Sequence, residues 1–171
     1  MYLAGNGTEK IKSALGKLPP GARGVRATLE IMRAFVRQYR KNPELRKVAA
    51  DRIAHIPQKD FAGEANALHE FVRDHIRYMR DIHGVETVQT PAATLKFGYG
   101  DCDDKATLLA TLLQATGHPT RFVAVGQEPG RYQHVYVETL IGKKWVACDG
   151  TEPHPMGWRP DKIQQTMRVH I

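Results

Sequence analysis

The 171-residue sequence predicts an α+β fold, with N-terminal helices ahead of one further helix packed on an antiparallel sheet. Three observations carry that expectation. Apolar residues recur at helical spacing in three stretches of the first 80 positions, a leucine-rich helical run follows a glycine-rich turn near residue 100, and alternating segments separated by turn signals begin at residue 120. With 42% hydrophobic and 25% charged residues, and no repeat or low-complexity tract, the chain suffices for one compact domain with a sizeable core.

After Leu18-Pro19-Pro20-Gly21, the first helix carries an apolar stripe of Val25, Leu29, Met32, Val36 and Tyr39, with Arg33, Arg37, Arg40 and Lys41 around it. Pro43 opens a second helix bearing Leu45, Val48, Ala49 and Ile53, since the first helical position has no amide bond for proline to lose. Residues 62–79 read as a third, burying Leu68, Phe71, Val72, Ile76 and Met79 and exposing His69, Arg73 and Arg80. Gly84 and Pro91 then break the chain. Residues 1–60 hold 13 Lys or Arg against 5 Asp or Glu, while the rest is nearly balanced, so the net charge of +7 belongs to a basic helical extension (1–60) on a core (61–171). Such a face could meet an acidic partner, although a solvated helix surface explains it as well. Without zinc-finger spacing or stacking aromatics, specific nucleic-acid recognition is not expected.

The run Gly98-Tyr99-Gly100-Asp101-Cys102-Asp103-Asp104-Lys105-Ala106 leads into a helix with Leu108, Leu109, Leu112 and Leu113 at helical spacing. Asp101 suits its N-cap and Gly117 its end, which places Cys102 in the first turn among amides that lack carbonyl partners. That position favours a thiolate, but Asp101, Asp103 and Asp104 oppose it, so ionisation calls for an imidazole partner. Strand 120–125 follows. Strands 132–140 and 143–149 read as a hairpin; with Ile141-Gly142 as its two-residue loop, Leu140 faces Lys143 and His134 lies directly across from Asp149. Cys148 then points to the opposite face as a buried small hydrophobe. Residues 126–131 form a mobile loop, and the proline-rich tail from Glu152 is irregular up to a short final helix or strand.

Cys102, His134 and Asp149 therefore offer a nucleophile, a base and a group to orient the base. Ser13 is the one serine and has no nucleophile-elbow context. Cys102, Asp103, Asp104, His134 and His154 follow no metal-ligand spacing, so neither metal nor other cofactor is expected. His55, His69, His75, His83, His118 and His170 have no partner identifiable from sequence. No apolar run approaches the roughly 20 residues of a membrane span, and residues 1–7 lack a signal peptide's pattern.

Three segments in order, Gly100-Asp101-Cys102-Asp103-Asp104-Lys105-Ala106, Tyr132-Gln133-His134-Val135-Tyr136-Val137-Glu138 and Lys144-Trp145-Val146-Ala147-Cys148-Asp149-Gly150-Thr151, resemble the transglutaminase-like superfamily. Ile76-Arg77-Tyr78, Asp81, Glu86 and Thr90-Pro91 resemble the lead-in of its bacterial and bacteriophage-encoded members. The resemblance implies a papain-like core and a cysteine hydrolase (peptidase, isopeptidase or amidase) acting on peptide or protein amides through Cys102, His134 and Asp149. True transglutaminases carry Gln and Trp where Asp101 and Asp103 stand, so cross-linking is not implied. The backbone N–H of Cys102 is the first expected oxyanion donor, with Tyr99, Tyr78 and Gln89 as side-chain candidates. The alternative is a non-catalytic binding module or a phage virion structural or assembly protein on the same fold. The expected location is cytoplasmic, or virion-associated in a phage setting.

Overall fold

Caps and prolines set where the helices begin. In the computed structural model, which describes residues 12–14, 19–80 and 87–171, α1 spans Ala22–Tyr39 and turns Leu29, Met32, Val36 and Tyr39 inward. Asn42 accepts from the amides of Glu44 and Leu45 at 3.0 and 3.1 Å and Pro43 takes the first helical position, which starts α2 (Pro43–Ile53). Asp60 caps α3 (Phe61–His75) through Gly63 N–H. The expected break at Gly84, together with Asp81, His83, Glu86, Leu18 and residues 1–7, lies outside the described residues.

The third helix ends four residues earlier than its apolar spacing suggested. Ile76 is already extended, at φ −105° and ψ 109°, and the chain continues as β2 (Arg77–Tyr78). Two forces end the helix there. The buried Lys105 ammonium takes the late carbonyls of Arg73 and Ile76, and the amides of Arg77 and Met79 find the carbonyls of Gly98 and Gly100. Met79 is consequently exposed, whereas His69, expected at the surface, is fully buried.

Beyond the undescribed stretch come β3 (Thr87–Gln89), antiparallel to β1 (Lys12–Ala14), and a helix the sequence reading did not register, α4 (Pro91–Phe97). Its signals are plain in retrospect. Thr90 caps it, Pro91 opens it, and Gly98 closes it in the left-handed region at φ 69°. Strand β4 (Tyr99–Gly100) runs parallel to β2 and delivers the chain to α5 (Cys102–Ala115).

Every residue of α5 from Asp104 to Leu113 is buried, because the helix lies between a layer of α1, α2, α3 and α4 and the main sheet. That sheet has strand order β7-β6-β5-β8, all antiparallel: β5 (Thr120–Gly126), β6 (His134–Ile141), β7 (Lys144–Cys148) and β8 (Gln165–His170). The tail thus ends in a strand, which pairs with β5. One apolar cluster joins Leu29, Leu45 and Leu68 through the α5 leucines to Phe122, Val137 and Cys148. Across the sheet, Val123, Val125, Tyr136 and Ala147 form a smaller cluster beside a buried carboxylate, Glu138, which accepts from Arg121 at 2.7 Å and Arg159 at 2.9 Å. The loop at 126–131 is tied down by Gln165, whose side chain bonds Gly130 N–H and Glu128 C=O at 2.9 Å each. No helix among the described residues is long and apolar enough to cross a membrane.

The hairpin register corrects the expectation. Ile141 faces Lys144, so the loop is Gly142-Lys143 and each partner is displaced by two residues from the expected pairing. Gly142 decides this: at φ 61° it fits the first loop position of a type II′ hairpin turn, which glycine favours. Strand β7 accordingly ends at Cys148, one residue before Asp149.

Leu112, fully buried on α5, tests the central role of that helix. Leu112→Ala should lower unfolding free energy by about 2–5 kcal/mol, as urea denaturation would read it.

Candidate active site

Gly100 allows the chain to turn tightly into α5, since a Cβ there would stand 2.5 Å from the Cβ of Asp104. Asp101 and Asp104 then form a reciprocal capping box: Asp101 accepts from Asp104 N–H at 3.1 Å, and Asp104 accepts from Asp101 N–H at 3.3 Å. Cys102 is the first residue of the helix. Its thiol donates to Asp103 at 3.7 Å and faces the backbone N–H of Val135, the residue after His134. Burial, followed by the Asp103 and Asp101 carboxylates, pushes the thiol well above its ordinary value, against a smaller pull from Val135. The surroundings of Cys102 thus favour the thiol over the thiolate, in line with its acidic neighbours.

His134 opens β6 opposite Val125 and stacks on Tyr136 with ring centroids 6.1 Å apart. Its Nε2 lies 2.6 Å from Asp149 Oδ2. The two residues meet, but not as a directly opposed pair: in the observed register His134 would face residue 151, so Asp149 is its diagonal neighbour just past the ladder. The pairing moved by an even step. Both side chains stay on one face of the sheet, whereas an odd slip would have turned Asp149 away. Asp149 is buried, and its second oxygen accepts from Thr151 N–H at 2.9 Å.

An open cleft of about 740 Å³ lies against His134, walled by Tyr78, Arg80, Gln133, Thr151 and Trp158 over Val125 and Ile163. Tyr78 lines it. Tyr99, the other tyrosine considered as an oxyanion donor, stacks on Phe97 instead. Gln89 is turned elsewhere: it is buried, and its amide donates to Asp104 Oδ2 at 2.7 Å while its backbone N–H donates to Oδ1 at 2.6 Å. Cys148 is fully buried and points into the main core, its thiol pushed up to about 12, chiefly by burial. Among the described residues no three or more His, Cys, Asp or Glu lie close enough to hold a metal ion.

Four of the six histidines without evident partners have them in the fold. His118 meets Glu64 at 3.0 Å, His69 meets the Asp149 carbonyl at 2.9 Å, His75 lies on Phe71, and His170 meets the edge of Trp145. Sequence reasoning also missed Asp104 and Lys105 as buried charges. Burial, then the Asp101 charge, raises Asp104 to about 7 despite three donors, and burial lowers Lys105 to about 8. The one available signal was three consecutive charges entering a run of leucines.

A family model described as the transglutaminase-like superfamily matches residues 47–150. Among solved structures, a "putative protease" from Parabacteroides distasonis matches with a TM-score of 0.60 at 17% identity, over 76% of this chain and 26% of that one. A "putative cysteine protease" from Cytophaga hutchinsonii matches with a TM-score of 0.54 at 18% identity, over 81% of this chain and 51% of the other. This chain therefore spans about a quarter and about half of those proteins, and the likeness is one of fold. No curated protein matches it. The chain belongs to the transglutaminase-like superfamily, with the α+β, papain-like architecture read from its sequence.

Asp104 provides a test of the helix start. It binds its proton more tightly in the folded chain than in the unfolded one, where the value is about 4, so folding is favoured below that pH. The advantage is lost as pH rises through about 7. Stability should fall by up to roughly 4 kcal/mol across that window, and Asp104→Asn should flatten the slope in urea unfolding at pH 4.5, 6 and 7.5.

Proposed function

We propose that this superfamily member is a cysteine-dependent hydrolase of amide bonds in peptides or proteins, with Cys102 as nucleophile, His134 as base and Asp149 as the residue that orients His134. The observation that carries the reading is the 2.6 Å bond between His134 Nε2 and Asp149 Oδ2 at a strand end whose next residue faces the Cys102 thiol. An ionised Asp149 can only accept, so Nε2 carries the proton and Nδ1 keeps a lone pair. That lone pair takes the thiol proton as Cys102 Sγ attacks the amide carbon.

The resulting oxyanion is met by the backbone N–H of Cys102, one of the first-turn amides that have no helical acceptor. Collapse of the tetrahedral species breaks the C–N bond, and the proton on Nδ1 passes to the leaving amine. Water then attacks the thioester with His134 again as base, releasing the acid and restoring the thiol. Asp149, buried and held by Thr151, stabilises the imidazolium formed in each half-reaction. A neutral resting thiol suits this order, because ionisation is coupled to attack and an exposed thiolate never has to persist. The two structural neighbours described as proteases point to the same substrate class.

Incubation with a defined peptide mixture, followed by mass spectrometry of the products and of the intact protein, tests the reading. Turnover should fall by roughly three orders of magnitude or more in Cys102→Ala and in His134→Ala. An acyl adduct should map to Cys102 in the wild type. Turnover that survives Cys102→Ala would sink the proposal.

A further inference from the structure

His69 has no step in the chemistry just described, yet it is a fully buried histidine one residue contact away from the acid. Its Nε2 lies 2.9 Å from the main-chain oxygen of Asp149, an atom that can only accept. The tautomer is thereby assigned. Nε2 bears the hydrogen, and Nδ1 is left buried with a lone pair and no hydrogen-bond partner among the described residues. Burial holds the ring neutral, outweighing the pull of that carbonyl. An apolar side chain here would avoid the cost of an orphaned ring nitrogen, so the bond to Asp149 is the feature that distinguishes histidine from leucine at this place.

The need for such a bond follows from the hairpin register. Strand β7 stops at Cys148, so the backbone of Asp149 is beyond the β6–β7 ladder, while His134 is fixed by its pairing with Val125 on β5. Helix α3 takes over the role of a neighbouring strand. His69 holds the carbonyl, and one turn further on Val72 packs so tightly against Gly150 that a Cβ there would stand 3.1 Å from Val72 Cγ1. With Thr151 N–H on Oδ1 and His134 on Oδ2, the peptide and the carboxylate of Asp149 are each secured.

Resting on the proposed triad, we infer that His69 is a positioning residue: by fixing the Asp149 main chain from α3, it sets the carboxylate at the angle and distance that orient the His134 imidazole. It touches neither substrate nor reacting atoms, and acts through Asp149 alone.

The test uses the full chain with His69→Leu, which keeps bulk and removes the donor, and His69→Gln, whose amide nitrogen can reach the place of Nε2. Steady-state kinetics on a cleaved peptide and the NMR resonance of the His134 Nε2 proton are read together. In His69→Leu, kcat should drop by about 10–100-fold with KM within about twofold, and the His134 resonance should shift or broaden; His69→Gln should restore most of both. Should His69→Leu fail to fold, His69→Asn, whose shorter amide falls short of the carbonyl, takes its place. A folded donor-free variant with wild-type kcat and an unmoved resonance overturns the inference. The resonance also separates the two claims: if Cys102→Ala leaves turnover intact, the triad reading falls, while the His134 signal still decides whether His69 governs the His134–Asp149 pair.

Discussion

A buried carboxylate and a buried ammonium, adjacent on one helix, organise everything around Cys102. Asp104 and Lys105 enter the core because α5 is covered on all sides, and neither can be there without partners. Asp104 draws in Gln89 through both its backbone and its side chain, which anchors β3 to the start of α5. Lys105 reaches the late carbonyls of α3, which ends that helix and sends the chain into β2 beneath the cleft. The first turn of α5 is therefore located from two directions by polar contacts, and the leucines behind it supply cohesion without choosing a register along the helix axis. Precision at the cysteine comes from the polar bonds; stability comes from the apolar ones.

Much of this was legible in the sequence. Prolines at 43 and 91, the cap residues Asn42, Asp60, Thr90 and Asp101, and the spacing of Leu108, Leu109, Leu112 and Leu113 are local signals, and helix starts follow from local chemistry. Apart from α4, whose local signals went unregistered, what escaped was set by distant residues. The end of α3 depends on a lysine 29 positions from the Ile76 carbonyl it binds, and the burial of His69 depends on a carbonyl 80 positions away. Periodicity cannot see either. The hairpin shows an intermediate case: alternation correctly put His134 and Asp149 on one face, but the turn, through Gly142, chose the pairing.

The electrostatics around Cys102 set the helix start against the thiolate. Three aspartates at the start of α5 favour the helix, and two of them, Asp103 and Asp101, oppose a thiolate at the same time. The conflict is resolved in favour of the fold, and under the proposed function activation of the sulfur falls to the imidazole. The chain carries the same logic to the far side of the sheet, where Glu138 is buried only because Arg121 and Arg159 close over it and Trp145 covers the Arg121 guanidinium at 4.3 Å. In both places a charge is admitted to the interior with its partners already in position.

Cys148 is the quiet counterpart of Cys102. It belongs to the strand that leads to Asp149, yet its sulfur is sealed among core side chains and stays protonated across the physiological range. Oxidants and electrophiles that enter from solvent thus encounter a single sulfhydryl. In a molecule with two cysteines, modification by such reagents becomes a report on one address, and the folded protein keeps its second sulfur out of disulfide exchange by enclosure alone.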